Sequence, residues 1–388
     1  MFSSRVPRHL QPNAFSTSLE QARSAGRDLI DLTVSNPTRT GITYPEGLFA
    51  ALSSPEVASY RPEPFGLRRA REAVAADYAR RHVSTSWDRI VLTASTSEAY
   101  SILFKLLCAP GGDRVLVPAP SYPLFDHLTA LDGVGAVQYA LQYDGRWWVD
   151  FDSVDDSWDD TIRAVLVVSP NNPTGSVLTG DERRAFIERC ASRDAALIED
   201  EVFADYPLEG NGAAAASAAP PPCLTFRLGG LSKSAALPQV KLGWIAVDGP
   251  PALVREALDR LELICDTYLS VSTPVQIGAP DLIAGGAGPR TQVQERVRGN
   301  YSALKALAAG FPSVDVLRAD GGWSAVVRVA ARGSEEEIAL TLLDRDAVVV
   351  FPGFFFDFPR EAFLVMSLLP EPPRFREGVR RVLERVDG

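Results

Sequence analysis

The 388-residue chain contains 46% hydrophobic and 23% charged residues, close to the average for globular proteins. Its formal net charge is −10, and no cluster of Lys and Arg is interleaved with aromatic residues, which argues against nucleic-acid binding. No apolar run approaches the ~20 residues of a membrane span, and no signal peptide is evident. We therefore expect a cytoplasmic protein of two or three domains.

The cysteines are far apart and form no C-x-x-C pair, and the chain has only 3 histidines. This pattern argues against a zinc site and against a disulfide framework. We expect no metal, and small buried thiols at Cys108, Cys190, Cys223 and Cys265.

Short β-branched segments, most of them followed by a turn and a helical pattern, predict an α/β fold with one large sheet. Helices between the strands, at 98–107, 123–131 and 181–193, imply a mostly parallel sheet flanked by helices. An Ala- and Pro-rich loop with no assigned role is predicted at 211–222. The seven predicted strands are 89–95, 114–118, 135–141, 163–169, 195–200, 223–228 and 243–247.

A second, smaller α/β domain is predicted from the C-terminal part of the chain. Long helices at 252–263 and 292–309 lead to strands at 324–329, 347–350 and 362–367. A helix at 16–25 and a strand at 29–34 are expected to pack with it. The predicted boundaries are 45–285 for the large domain, and 1–44 with 286–388 for the small one.

Two segments place polar groups where a predicted strand ends, which is where open α/β sheets bind their ligands. In LTASTSEA (92–99), Ser95, Thr96 and Ser97 begin a helix and suit a phosphate, although a simple N-cap explains the same pattern. In SPNNPTG (169–175), neighbouring prolines hold the Asn172 amide at the sheet edge, although Pro/Asn turns are common.

Two further segments carry ionisable groups at strand ends. In AALIEDEVFADY (195–206), an apolar strand runs into three acids, which either bind a cationic ligand group or are simply solvated. In GGLSKSAALPQVKLGW (229–244), Lys233 follows a double glycine with few charges nearby. Desolvation would lower its pKa and favour imine chemistry, whereas a single lysine is more often exposed.

Together these segments resemble the class I/II aminotransferases, which are fold type I enzymes that depend on pyridoxal 5′-phosphate. NNPTG, an aspartate at a strand end, and S-K with a cation eight residues later occur in the family's order. YRPEPFGLRRAR (60–71) and SNPT (35–38) also resemble family segments. The resemblance covers nearly the whole chain and implies a large domain that binds pyridoxal phosphate.

The resemblance implies a role for each matching position. Lys233 would form a Schiff base with the cofactor and transfer the proton at the substrate α-carbon, and Asp200 would pair with the protonated pyridine nitrogen. A homodimer is implied, with Tyr60 reaching the phosphate of the neighbouring subunit. The other implied cofactor contacts are Asn172 to O3′, Tyr122 stacked on the ring, and Ser95, Thr96, Ser97, Ser232 and Lys241 at the phosphate.

The chain departs from the family pattern at three positions. Phe203 replaces a tyrosine that donates to O3′, and Lys241 replaces an arginine, which keeps the charge but loses the two-pronged geometry. In FLVMSLL (363–369), Val365 stands where the family has the arginine that grips the substrate α-carboxylate. Either the alignment differs there, or another cation binds the α-carboxylate, or the substrate is not bound as an ordinary α-amino acid. Candidate substrate-binding residues are Asn36, Arg39 and Arg328.

We therefore expect transamination between an amino donor and a 2-oxo acid, in amino-acid biosynthesis. Because the same fold and lysine serve many reactions at the α-carbon, a lyase, decarboxylase or oxidase is the alternative, favoured by the missing arginine. The third hypothesis is an inactive regulator that binds the cofactor. The presence of Lys233 and Asp200, without attached DNA-binding helices, argues against it.

Overall fold

The computed structural model describes residues 2–7, 10–209, 219–330, 333–360 and 362–388. Most of the predicted loop at 211–222 lies outside these residues. The helices are α1 Ala14–Ser24, α2 Arg68–Arg80, α3 Thr96–Leu107, α4 Phe125–Asp132, α5 Phe151–Asp156, α6 Gly180–Ser192, α7 Leu231–Ser234, α8 Pro251–Tyr268, α9 Thr273–Gly285, α10 Ala287–Ala308, α11 Glu335–Asp346 and α12 Pro372–Asp387. The strands are β1 Ile30–Asp31, β2 Ile90–Thr93, β3 Arg114–Ala119, β4 Gly135–Tyr143, β5 Trp147–Val149, β6 Ile162–Val168, β7 Ala196–Asp200, β8 Thr225–Gly230, β9 Gly243–Asp248, β10 Val314–Val316, β11 Ser324–Val329, β12 Val348–Val349, β13 Phe351–Pro352 and β14 Phe363–Ser367.

An eight-stranded sheet forms the large α/β layer, in the order β2-β9-β8-β7-β6-β3-β4-β5. Strands β9 and β5 run against the other strands, so the sheet is mixed but mostly parallel, as predicted. The predicted number of seven strands was one too small. The additional strand β5 has 3 residues and returns antiparallel to β4, which is too short for a recognisable alternating pattern.

Helices cover both faces of this sheet, which explains why its central strands are apolar on both sides. On one face, α3 and α8 pack over the sheet through residues such as Leu103 and Leu261. On the other face, α6 contributes Phe186. Helix α6 begins with a capping box between Thr179 and Glu182.

A smaller antiparallel sheet has the order β10-β11-β14-β13. Strand β1 pairs in parallel with β12, so the N-terminal segment joins the C-terminal part of the chain. One apolar cluster contains Phe15 and Leu32 together with Leu342 and Phe375. The expected packing of the N-terminal segment on the C-terminal region is therefore observed. Within the described ranges, no helix has the length and apolar composition needed to cross a membrane.

Candidate active site

The candidate site lies at the edge of the large sheet where its parallel strands end. Strands β8, β7 and β6 are neighbours and run in the same direction, so their carboxyl ends meet. Lys233 follows β8, Asp200 ends β7, and Asn172 follows β6. Strands β3 and β2 run in the same direction and are followed by Tyr122 and Ser95. Sheet topology thus gathers at one edge residues that are far apart in sequence.

The three acids at the end of β7 have different partners. Glu199 pairs with Arg183 at 2.6 Å, and Glu201 pairs with Arg81 at 3.3 Å. Asp200 lies between them in sequence, and because side chains alternate along a strand it faces the opposite side of the sheet. Among the described residues, Asp200 has no cation within ion-pair distance.

Asp200 is buried and accepts two hydrogen bonds. Its Oδ1 accepts from the backbone N–H of Val202 at 3.0 Å, and its Oδ2 accepts from the hydroxyl of Tyr100 at 2.8 Å. Burial raises the pKa of Asp200 to about 6, against the opposing effect of these hydrogen bonds. A buried carboxylate of this kind fits a protonated ring nitrogen, whose charge would offset the cost of burial.

Lys233 lies on the short helix α7 between aromatic rings. Its Nζ is 5.6 Å from the ring centre of Phe203 and 5.0 Å from that of Trp323. Burial lowers the pKa of Lys233 to about 8, and the charge of Asp200 opposes this shift only in part. At pH 7 such an amine is neutral in about one molecule in ten, far more often than an ordinary lysine, and the neutral form is the nucleophile.

Gly229, near the end of β8 and four residues before Lys233, allows β8 to lie close to the Trp244 side chain of β9. A Cβ atom on Gly229 would lie 2.5 Å from Nε1 of Trp244, so a larger residue would displace the neighbouring strand. The hydroxyl of Tyr206 donates to the backbone oxygen of Lys233 and fixes the lysine's main chain. The double glycine and Tyr206 thus position the amine.

The two asparagines of SPNNPTG have separate functions. Asn171 is buried, donates to the backbone oxygen of Pro120 at 3.0 Å, and accepts from Ser121 at 2.9 Å, which ties two loops together. Asn172 accepts at Oδ1 from the hydroxyl of Ser324 at 3.2 Å. This contact uses the Oδ1 acceptor of Asn172 and leaves its Nδ2 donors without a hydrogen bond among the described residues, as the predicted contact with O3′ needs.

The start of α3 presents the predicted phosphate-binding residues. Ser95 is the N-cap, and its hydroxyl oxygen accepts from the backbone N–H of Glu98 at 3.2 Å. The first-turn N–H groups of Thr96 and Ser97 have no acceptor within the helix and suit an anion. A Cβ on Gly243 would lie 3.1 Å from the Thr96 nitrogen, so β9 passes close to this helix start.

The remaining predicted cofactor residues differ in exposure. Ser232 is half-buried on α7, whereas Lys241 is exposed and has a φ of 59°. Burial and, to a smaller extent, the charge of Asp200 raise the pKa of Tyr122. Phe203 is buried against Trp323 and carries no donor. Tyr60 is 72% exposed.

The residue in place of the family's arginine lies beside the site. Strands β11 and β14 pair Ser324 with Ser367 and Val326 with Val365, so Val365 and Ser324 share a face of the small sheet. Val365 is 2% exposed, and its surroundings are apolar. At this position the structure therefore has the uncharged side chain of Val365. It lies on the same face of the sheet as Ser324, which contacts Asn172.

The candidate substrate-binding arginines lie in different places. Arg328 pairs with Asp315 at 2.6 Å and lies four residues, or about 13 Å, along β11 from Ser324, so the fold does not bring it to the site. Arg39 is exposed. The hydroxyl of Ser367 donates to the backbone oxygen of Val34 at 2.6 Å and so holds the segment that contains Arg39. Within that segment, Asn36 accepts from the backbone N–H of Thr38.

Three residues of the site were not found from the sequence. Tyr100 lies in an apolar helix pattern, and Ser324 and Trp323 follow a glycine pair at the start of a strand. Their contacts join segments that are 100 residues apart for Tyr100 and Asp200, and 152 apart for Ser324 and Asn172. No local pattern could reveal these pairs.

Comparisons with known proteins identify the family of this chain. The sequence profile of the family described as aminotransferase class I and II matches residues 27–376. The glutamate-pyruvate aminotransferase AlaA of Haemophilus influenzae is 22% identical over 370 residues, which cover 92% of this chain and 90% of that protein. The valine–pyruvate aminotransferase of Mycobacterium tuberculosis is 28% identical over 391 residues, covering 97% of this chain and 96% of that protein.

Solved structures show the same fold. An aminotransferase from Escherichia coli superposes with a TM-score of 0.88 at 21% identity, covering 100% of this chain and 98% of the other. An alanine aminotransferase from Pyrococcus furiosus also gives a TM-score of 0.88 at 21% identity, covering 99% of this chain. The fold is thus fold type I, as predicted.

The donor set fits the cofactor of this family. In the part of the chain that the structure describes, Asp200 is a buried carboxylate without a paired cation, Lys233 is an amine of lowered pKa, and Asn172 is an amide whose oxygen alone is bonded. These groups match the ring nitrogen, the aldehyde and the ring oxygen of pyridoxal phosphate. The chain therefore belongs to the class I and II aminotransferases, enzymes of fold type I that depend on pyridoxal 5′-phosphate.

Proposed function

We propose that this aminotransferase moves an amino group between an amino acid and pyruvate or a related 2-oxo acid, through Lys233. The observation that carries the assignment of residues is Asp200, which is buried, has no cation within ion-pair distance among the described residues, and ends the strand next to the one that Lys233 follows. Relatives named glutamate-pyruvate, valine–pyruvate and alanine aminotransferases share pyruvate or its amino form, alanine, in their names, which supports this substrate class.

The proposed mechanism assigns a task to each residue. Bound pyridoxal phosphate supplies an electron sink for the electron pair left at the substrate α-carbon. Lys233, as a neutral amine, would act as general base by taking the proton from the substrate α-carbon, and as general acid by giving that proton back. Asp200 holds the proton on the ring nitrogen, and Asn172 donates to the ring oxygen. Tyr122 packs on the ring, and the phosphate is bound by Ser95, Thr96, Ser97, Ser232 and Lys241.

The purified enzyme, incubated with alanine, glutamate or valine and a 2-oxo acid, is expected to form one new amino acid for each new keto acid. Chromatography of the products and an ammonia assay measure this balance. Release of ammonia with a keto acid, but without a new amino acid, would favour a lyase over a transferase.

We further propose that Arg39 binds the substrate carboxylate in place of the arginine absent at Val365. Its segment is tied to Ser367, whose strand partner Ser324 contacts Asn172. Arg39→Ala is then expected to raise KM for the amino donor about tenfold with a smaller change in kcat, because one charge-assisted contact is lost. Arg328→Ala is the matched control and should leave KM unchanged. Equal effects of both substitutions would contradict the proposal.

A cytoplasmic homodimer with a role in amino-acid biosynthesis completes the proposal. The large exposed ring of Tyr60 supports a contact with the phosphate of the partner subunit. Sedimentation velocity is expected to give twice the chain mass of 42.0 kDa, which is 84 kDa. A mass of one chain at micromolar concentration would contradict it. The proposed division into 45–285, and 1–44 with 286–388, is supported by the pairing of β1 with β12.

A further inference from the structure

The hydrogen bond between Tyr100 and Asp200 is a buried contact that the proposed mechanism does not use. The phenol oxygen lies 2.8 Å from Oδ2 of Asp200, and the tyrosine is 3% exposed. Ionised carboxylates only accept hydrogen bonds, so the phenol is the donor whenever Asp200 is charged. We propose that Tyr100 is a positioning residue that aims the Asp200 carboxylate and keeps it ionised for the ring nitrogen of the cofactor.

Helix α3 places Tyr100 in relation to the phosphate end of the site. Thr96, in the first turn, and Tyr100 are four residues apart and therefore lie on the same face of the helix. The same rigid element thus carries the proposed phosphate donors and the group that orients Asp200. One turn of helix therefore fixes the separation between the N–H group of Thr96, proposed for the phosphate, and Tyr100, which contacts Asp200.

Neighbouring rings fix the phenol of Tyr100. Phe125 meets it edge-on with ring centres 5.4 Å apart, and Phe104 lies at 6.1 Å. The backbone N–H of Val202 holds the other carboxylate oxygen at 3.0 Å. Both oxygens of Asp200 are therefore held by donors from two separate elements, which leaves the carboxylate little freedom to rotate.

The protonation of the two groups makes the Tyr100 hydroxyl the donor and the Asp200 carboxylate the acceptor. Burial, together with the charge of Asp200, raises the pKa of Tyr100 well above its ordinary value, so its hydroxyl keeps its proton. A hydrogen bond to the charged form of a carboxyl lowers the pKa of that carboxyl, which counteracts the effect of burial on Asp200. Loss of the phenol should therefore raise the pKa of Asp200 further.

This inference rests on the proposed function of Asp200, and Tyr100→Phe tests it because only the hydroxyl is removed. The matched control is Tyr139→Phe. Tyr139 is 2% exposed, and its hydroxyl donates at 2.9 Å to the backbone oxygen of Leu166 and not to Asp200. Both variants lose one buried hydrogen bond, so similar decreases in melting temperature are expected.

Only Tyr100→Phe is expected to change the chemistry. For the holoenzyme, the acidic limb of kcat/KM against pH should move up by about one pH unit, as expected for a lost hydrogen bond to a charged group. At pH 5, below the pKa of Asp200, the dissociation constant of pyridoxal phosphate from absorbance titration should rise about tenfold, because an increase of about one unit in that pKa makes the ionised carboxylate roughly ten times rarer there. The Tyr139→Phe control should match the wild type in both measurements.

Two results separate the possible failures. If Tyr100→Phe behaves like Tyr139→Phe in the pH profile and in cofactor affinity, while Asp200→Asn is inactive, Tyr100 has only a structural role and the inference is overturned. If Asp200→Asn retains wild-type activity, the proposed function of Asp200 itself fails, whatever the tyrosine variants show.

Discussion

Replacement of Lys233 by alanine is expected to remove the yellow absorbance band of the bound cofactor and to lower kcat by at least about 10⁴-fold. Lys233 is the proposed point of covalent attachment and also the proposed group that moves the proton, and proton transfer by a positioned side chain alone contributes about 10²- to 10⁴-fold. The loss should be larger than for any other substitution, because no second amine lies between Phe203 and Trp323 in the described part of the chain.

Because the chain contains few lysines, the one that carries the cofactor can be identified directly. The sequence contains only Lys105, Lys233, Lys241 and Lys305. Lys305 pairs with Glu209 at the surface, so Lys305→Ala should keep both the band and the activity. Borohydride reduction of the holoenzyme followed by peptide mass spectrometry should find the cofactor on Lys233. A label on one of the other three lysines would refute the assignment.

The lowered pKa of Lys233 also sets how fast added cofactor becomes attached to cofactor-free protein. The pKa is about 8, so the amine is mostly protonated below pH 8 and neutral above it. The attachment rate should rise about tenfold per pH unit below 8 and then level off. A rate that kept rising to pH 10 would show an ordinary, solvated lysine.

Asp200→Asn is expected to lower kcat by roughly 10²- to 10⁴-fold while leaving the fold intact. The asparagine has the same shape but no charge, so the protonated ring nitrogen would lose its buried partner. Breaking a buried ion pair costs about 3–5 kcal/mol, which corresponds to such a factor in rate. Single-turnover kinetics with an amino donor would measure the effect on the proton-transfer step.

The neighbouring acid provides the control for this substitution. Glu201→Gln removes the ion pair with Arg81, so it should lower the melting temperature. It should not change the cofactor band, because Glu201 faces away from Asp200. Equal losses of activity in the two variants would mean that the strand end needs its charges for stability and not for the cofactor.

The sequence predicted the family and the general fold but missed details that depend on short or distant contacts. Strand β5 was missed because its 3 residues are too few to establish a period. Arg328 was a reasonable candidate from its place on a strand near Gly321 and Gly322. Only the pairing of β11 with β10 shows that its charge meets Asp315.

What the sequence determined by itself was the position of each chemical group relative to a strand end. Lys233, Asp200, Asn172 and Ser95 follow apolar segments, and because carboxyl ends of parallel strands meet at one edge, order along the chain predicts their proximity. The tertiary structure decided which of the three acids at the end of β7 has no paired cation among the described residues, since Arg81 follows α2 and Arg183 lies on α6. It also decided the hydrogen bond of Tyr100 to Asp200, across 100 residues, and that of Ser324 to Asn172, across 152 residues. Such distant contacts depend on packing and leave no local pattern in the sequence.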